Sequence, residues 1–158
     1  MADIKAKLGT TNQAITVTLA SLANAAMRQS AAIDNTTNLF LNALLTLKLK
    51  SGASGVSSTG FVALWAYATT DDGTTYSGGA GAADAAYTGD KTNLKYLGRI
   101  DMTANATSYT GVFDIASAFG GVVPAKWGIV IENQSGAALD ATEGNHTKTY
   151  QGHYAQSA

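Results

Sequence analysis

The stretch Asn38 to Lys50, NLFLNALLTLKLK, constrains the fold more than any other, because its apolar residues fit one period and not the other. On a helix Phe40, Leu41, Leu44 and Leu45 share a face, but that stripe runs into Lys48 and leaves Leu39, Leu47 and Leu49 elsewhere. With a period of two, Leu39, Leu41, Ala43, Leu45, Leu47 and Leu49 all point one way. Phe40, Asn42, Leu44, Thr46, Lys48 and Lys50 point the other way, turning polar towards the end. The segment is expected to be a strand with a buried inner face, stopped by the Ser51-Gly52 and Ser54-Gly55 pairs.

The same alternation recurs along the chain. Ile15, Val17 and Leu19 form a first apolar face, and 28–34 reads as a strand carrying Ala31 and Ile33, followed by a turn at Asp34-Asn35-Thr36-Thr37. Later faces are Leu94, Tyr96, Gly98 and Ile100; Tyr109, Gly111, Phe113 and Ile115; and Trp127, Ile129 and Ile131. In the last run, His146, Lys148, Tyr150, Gly152 and Tyr154 share a side. The segment SAFGGVVPAK before Trp127 is a loop with room for one helical turn. About eight strands separated by Gly, Asn, Asp and Ser turns, with no long helix, predict an all-β fold. An antiparallel β-sandwich of jelly-roll type is favoured over an immunoglobulin-like sandwich or a barrel. Residues 1–13 lack sustained periodicity and read as a flexible N-terminal arm, leaving 14–158 as a single domain.

Two segments ask for a partner. In GFVALWAYA, Phe61, Ala63, Trp65 and Tyr67 alternate with Val62, Leu64, Ala66 and Ala68, so both faces are apolar and both need cover. One cover is the core; the other is a loop or a neighbouring subunit. The stretch 69–92 has no period of either kind, and a loop that long is usually functional or ordered by a partner.

Composition excludes several classes. Cysteine is absent, which removes disulfides, thiolate metal sites and cysteine nucleophiles. Charged residues are only 13% of the chain and the net charge is −1, which gives no electrostatic reason to expect nucleic-acid or acidic-membrane binding. No run resembles a secretory h-region or a membrane span, so synthesis in the cytosol is expected and the Asn-x-Ser/Thr matches at Asn35, Asn105, Asn133 and Asn145 are read as unmodified.

Catalytic patterns are not evident. The histidines, His146 and His153, are seven residues apart and fall on opposite faces of a strand, so they read as exposed polar residues or interface contacts rather than metal ligands. Asp71, Asp72, Asp84 and Asp90 crowd the long loop without an EF-hand order, and Asp71-Asp72-Gly73 reads as a turn. Glu132 falls on the outward face of its strand, where it would keep that face wet. No Gly-x-Ser-x-Gly occurs, and Gly79-Ala80-Gly81 lacks the strand-turn-helix context of a dinucleotide loop. Trp65 and Trp127 are in phase with inward residues, which favours core packing over sugar stacking. No cofactor, no metal and no enzymatic step are expected.

The segments LASLAN (19–24), RQSAAIDNTTNLFL (28–41), AAYT (85–88) and PAKWGIVIENQSGAALDATEGNHTKTYQGHY (124–154) together resemble small virion structural proteins of tailed bacteriophages, of the capsid decoration or cement type. The resemblance implies a β-sandwich that binds the outside of an assembled head, with the major capsid protein and sister copies as partners. It carries no residue-level site. A neutral Thr, Ser, Asn and Ala surface suits a crowded lattice of identical copies, and the arm could order across a neighbour. The interface residues expected on these grounds are Ile4, Lys5, Lys7 and Leu8 in the arm; Phe61, Val62, Leu64, Trp65 and Tyr67 in the two-sided strand; and Tyr76 and Tyr87 in the loop. The competing reading is a tail, fibre or carbohydrate-binding module that uses the loop tyrosines with Tyr150 and Tyr154.

Overall fold

The alternating runs pair into two stacked antiparallel sheets, giving an all-β sandwich. A computed structural model describes residues 3–10, 12–69 and 71–157. Met1, Ala2 and Thr11 of the expected arm, Thr70 of the expected loop and Ala158 lie outside the described residues. The first sheet runs in the order β1 (Ile4–Leu8), β11 (Thr147–Ser157), β5 (Asn42–Lys50), β9 (Ser108–Asp114), and β2 (Gln13–Ala14) also pairs with β11. The second runs β7 (Ala85–Ala86), β3 (Met27–Gln29), β10 (Lys126–Gln134), β6 (Phe61–Ala68), β8 (Lys95–Asp101), and β4 (Ile33–Asp34) also pairs with β10. The chain changes sheet at β2–β3, β4–β5, β5–β6, β8–β9, β9–β10 and β10–β11, and stays in one sheet from β6 to β8.

The core lies between the inner faces. Ala43, Leu45, Leu47 and Leu49 of β5 meet Val62 and Leu64 of β6 and Trp127, Ile129 and Ile131 of β10 in one cluster. Each fully buried Leu or Ile contributes about 1.5–3 kcal/mol, so the inner face of β5 alone outweighs any single polar contact described below. Ile15, Val17 and Leu19 join this core with the expected alternation, but they are extended chain rather than ladder. Ile15 N–H bonds the Lys148 carbonyl in one sheet, and the Thr16 carbonyl accepts from Ala31 at the other. The segment thus crosses between the layers. One helical turn, α1 (Ile115–Ala118), capped by the Asp114 carboxylate, closes the end of β9; it starts two residues before the segment expected to hold it and takes in Ile115, which the alternation assigned to the strand.

Three sequence expectations change. Residues 4–8 are not a loose arm: they pair with β11 from Ile4 opposite Ser157 to Leu8 opposite His153. Five residues of perfect alternation, Ile-Lys-Ala-Lys-Leu, are too short to read as a strand without seeing the partner edge that bonds them. Leu39 and Leu41 do not continue the inner face of β5. The Asn35 side chain bonds both the N–H and the carbonyl of Phe40, Leu39 takes a positive φ of 51°, and the resulting turn drives Phe40 inward and leaves both leucines exposed. In β8 the register against β6 slips between Leu64 and Trp65, a bulge at Leu97. Leu94 and Tyr96 therefore face away from the core while Ile100 faces into it, a phase change that a strict period of two cannot express.

Candidate interaction surface

The two-sided strand finds both covers within the chain. Val62 and Leu64 are in the sandwich core, and Tyr67 packs on the opposite face of the second sheet with Tyr76, Tyr87, Leu94 and Val130. The cover is the loop 69–92 itself, which folds back through two short helical turns, Ser77–Gly79 and Lys91–Asn93, and the β7 pairing to β3. Tyr67 meets Tyr76 edge-on at 5.6 Å and donates to the Ser30 carbonyl at 2.7 Å. Burial pushes its phenol up to about 12. Tyr87 Oη donates to the Gly78 carbonyl at 2.6 Å. Five of the expected interface residues are thereby corrected: Val62, Leu64, Tyr67, Tyr76 and Tyr87 are enclosed by their own chain and offer no surface to a sister copy. Phe61 and Trp65 are half-buried, Phe61 beneath the Arg99 guanidinium and Trp65 against Tyr96, so Trp65 packs under the loop rather than in the core.

The polar groups that chemistry would need hold the fold. Asp84 accepts from Thr18 N–H and Oγ1 and pairs with Arg28 Nε at 2.6 Å. Asp71 accepts from the N–H groups of Thr74 and Thr75, the expected turn, and Asp90 caps Thr92. Asp72 faces Lys126 at 3.6 Å. Glu132 is not on a wet face. It is buried, bonded by Lys91 Nζ at 2.9 Å, by Gln134 and by the Trp65 indole; burial works against its charge, but these partners outweigh it and hold the carboxyl below its usual range. His146 is likewise buried: Nε2 donates to the Asp140 carbonyl and Nδ1 accepts the Lys50 N–H. Among the described residues no three His, Asp or Glu side chains gather as a metal site.

One end of the sandwich leaves several large apolar side chains open to solvent. Beyond Asn42, the last pairing partner of β5, strand β11 continues with β1 alone as a two-stranded ribbon. A hollow of about 230 Å³ opens beside it, lined by Ile4, Ala6, Leu41, His153, Tyr154 and Ala155 among others. The adjoining hollow shares Leu41 and is lined by Leu39, Val122 and Val123. Ile4 is 78% exposed, Leu39 68%, Leu41 52% and Val122 58%, so most of the large exposed apolar side chains of the described residues collect here. Of the expected interface residues, Ile4, Lys5, Lys7 and Leu8 belong to this end. Leu39, Leu41 and Val122 were not foreseen. The Val122-Val123 pair before Pro124 carried a signal, since adjacent valines in extended chain cannot both be buried in one core.

No protein-family model matches the sequence, and no curated protein matches it either.

Proposed function

We propose that this chain is a structural virion protein of a tailed phage, seated on the outer surface of the head, where it stabilises the shell without a chemical step. The observation that carries the reading is the apolar end built from Ile4, Leu39, Leu41 and Val122. Large apolar side chains gathered at one end of a protein mark a docking site, and a shell offers a large fixed surface to dock on. The burial of Glu132 and His146, and the engagement of Asp71, Asp84 and Asp90 in turn and loop hydrogen bonds, support a binding rather than a catalytic role. The strand order β1/β2–β11–β5–β9 over β3–β10–β6–β8, with its repeated crossings, supports the jelly-roll form of the sandwich. Among the described residues no helix is long and apolar enough to cross a membrane, which fits a place on the virion after synthesis in the host cytoplasm. The major capsid protein is the partner in this reading, with sister copies as neighbours on the lattice. The sugar-binding alternative loses most of its platform, because Tyr76, Tyr87 and Tyr150 are buried within the chain and, of the four tyrosines it called on, Tyr154 alone lines the open hollow.

Electron cryo-microscopy of particles from the genome encoding this chain tests the reading. Copies of the sandwich are expected on the head with the Leu41 end against the shell, and Leu41→Glu together with Val122→Glu should strip them from it. Density on the tail, or full decoration by the double variant, would overturn the proposal.

A further inference from the structure

The ribbon that projects from the sandwich has an unused edge. In the first sheet β1 is terminal and pairs only with β11. Gly9 N–H bonds the Gly152 carbonyl at 2.7 Å, continuing the register in which Leu8 faces His153. Because an antiparallel ladder alternates by two, Lys7 and Lys5 also exchange bonds inward, and Ile4, Ala6 and Leu8 turn their N–H and carbonyl groups to solvent. The side chains divide by the same alternation. Ile4, Ala6 and Leu8 lie on one face with Ala155 and His153, while Lys5 and Lys7 lie on the other with Gln156 and Tyr154. All five residues of β1 are exposed, and neither lysine makes an ion pair among the described residues.

An open edge of this kind accepts a further strand, and the lysines decide which one. A second copy offering its own β1 is the wrong occupant. The only antiparallel register that overlaps all five residues sets Ile4 against Leu8, and it places Lys5 directly opposite Lys7 of the other copy twice, a destabilising arrangement in a sheet. We propose that the outer edge of β1 receives an extended segment of a different protein in which acidic residues alternate with apolar ones. Its carboxylates lie beside Lys5 and Lys7, its apolar side chains continue the Ile4, Ala6 and Leu8 face, and its backbone bonds the free groups of those three residues. The inference concerns the strand edge alone and does not depend on the capsid reading.

Two short blocked peptides, one alternating valine with glutamate and the other valine with lysine, test it on the full chain at low salt by amide NMR. The glutamate peptide is expected to shift the Ile4, Ala6 and Leu8 amides and slow their exchange, and to bind at least about tenfold more tightly than the lysine peptide. The Lys5→Glu, Lys7→Glu double variant, whose spectrum outside β1 should be unchanged, should reverse that preference. Equal binding of the two peptides, or no response at those three amides, would overturn the inference and leave the lysines as guards against edge-to-edge aggregation only.

Discussion

At the residue scale, two glycines admit the aromatic rings that brace each sheet. Gly152 of β11 lies under Phe40, and a Cβ there would come within 2.3 Å of the ring. Gly128 of β10 sits opposite Tyr67, whose ring would meet a Cβ at the same 2.3 Å. Both contacts are with buried rings, which have little room to yield. Phe40 is further fixed because Asn35 holds its N–H and its carbonyl, so its ring cannot retreat without breaking the turn that starts β5. Gly152→Ala should therefore destabilise the fold by about 1–3 kcal/mol, read as a lowered urea midpoint at unchanged slope. The strain is steric and local, so adding Phe40→Leu should restore part of the loss. Strict additivity of the two changes would mean that ring and Cβ do not meet.

At the scale of elements, the loop 69–92 acts as a third layer over the second sheet, and its attachment depends on a few side chains. Asp84 ties it to Thr18 and Arg28, and the Lys91–Glu132 pair ties its far end to β10. Asp84→Ala removes three of these bonds at once and leaves the Arg28 side chain without its carboxylate. We expect a loss of about 1–2 kcal/mol together with new protease cleavage confined to 69–92, while the sandwich core stays resistant. Cleavage spread evenly through the chain would show that the loop is no separate layer. The strands themselves were legible in sequence wherever one face was buried and the ladder regular: β5 from Ala43, β10 and β11 all follow the expected alternation. The cover on Tyr67 was legible only as a need, because residues 76, 87 and 94 reach it through turns set by Asp71, Asp90 and glycines rather than by any period. For the candidate surface, Ile4 and Leu8 were expected as contacts, but the turn at Leu39 that exposes Leu41 depends on one asparagine side chain and has no periodic signature.

For the whole molecule, the carboxylates join segments far apart in the chain, and their ionisation sets its response to acid. Glu143 accepts from the N–H groups of Leu19 and Ala20 and pairs with Lys148; burial opposes its charge, yet these partners hold it below its usual range. The Asn145 side chain, the Thr142 N–H and Lys50 hold Asp140 lower still, and Asp84 and Glu132 are lowered in the same sense. A lowered folded-state pKa means that the unfolded chain takes up protons first as the pH falls. The stabilisation is thus fully present above the ordinary carboxyl values of 3.8 and 4.5, and it is lost progressively as the pH drops through them towards the folded values. Urea midpoints should therefore show no carboxylate-driven loss down to about pH 5 and fall steeply below about pH 4.5. Asp140→Asn, which keeps the shape but cannot titrate, should start from a lower midpoint at neutral pH and lose less of it in acid. If that variant and the parent chain fell by the same amount, the link between Asp140, Asn145 and Lys50 would not be a source of the acid sensitivity, which would then rest on Glu143, Asp84 and Glu132.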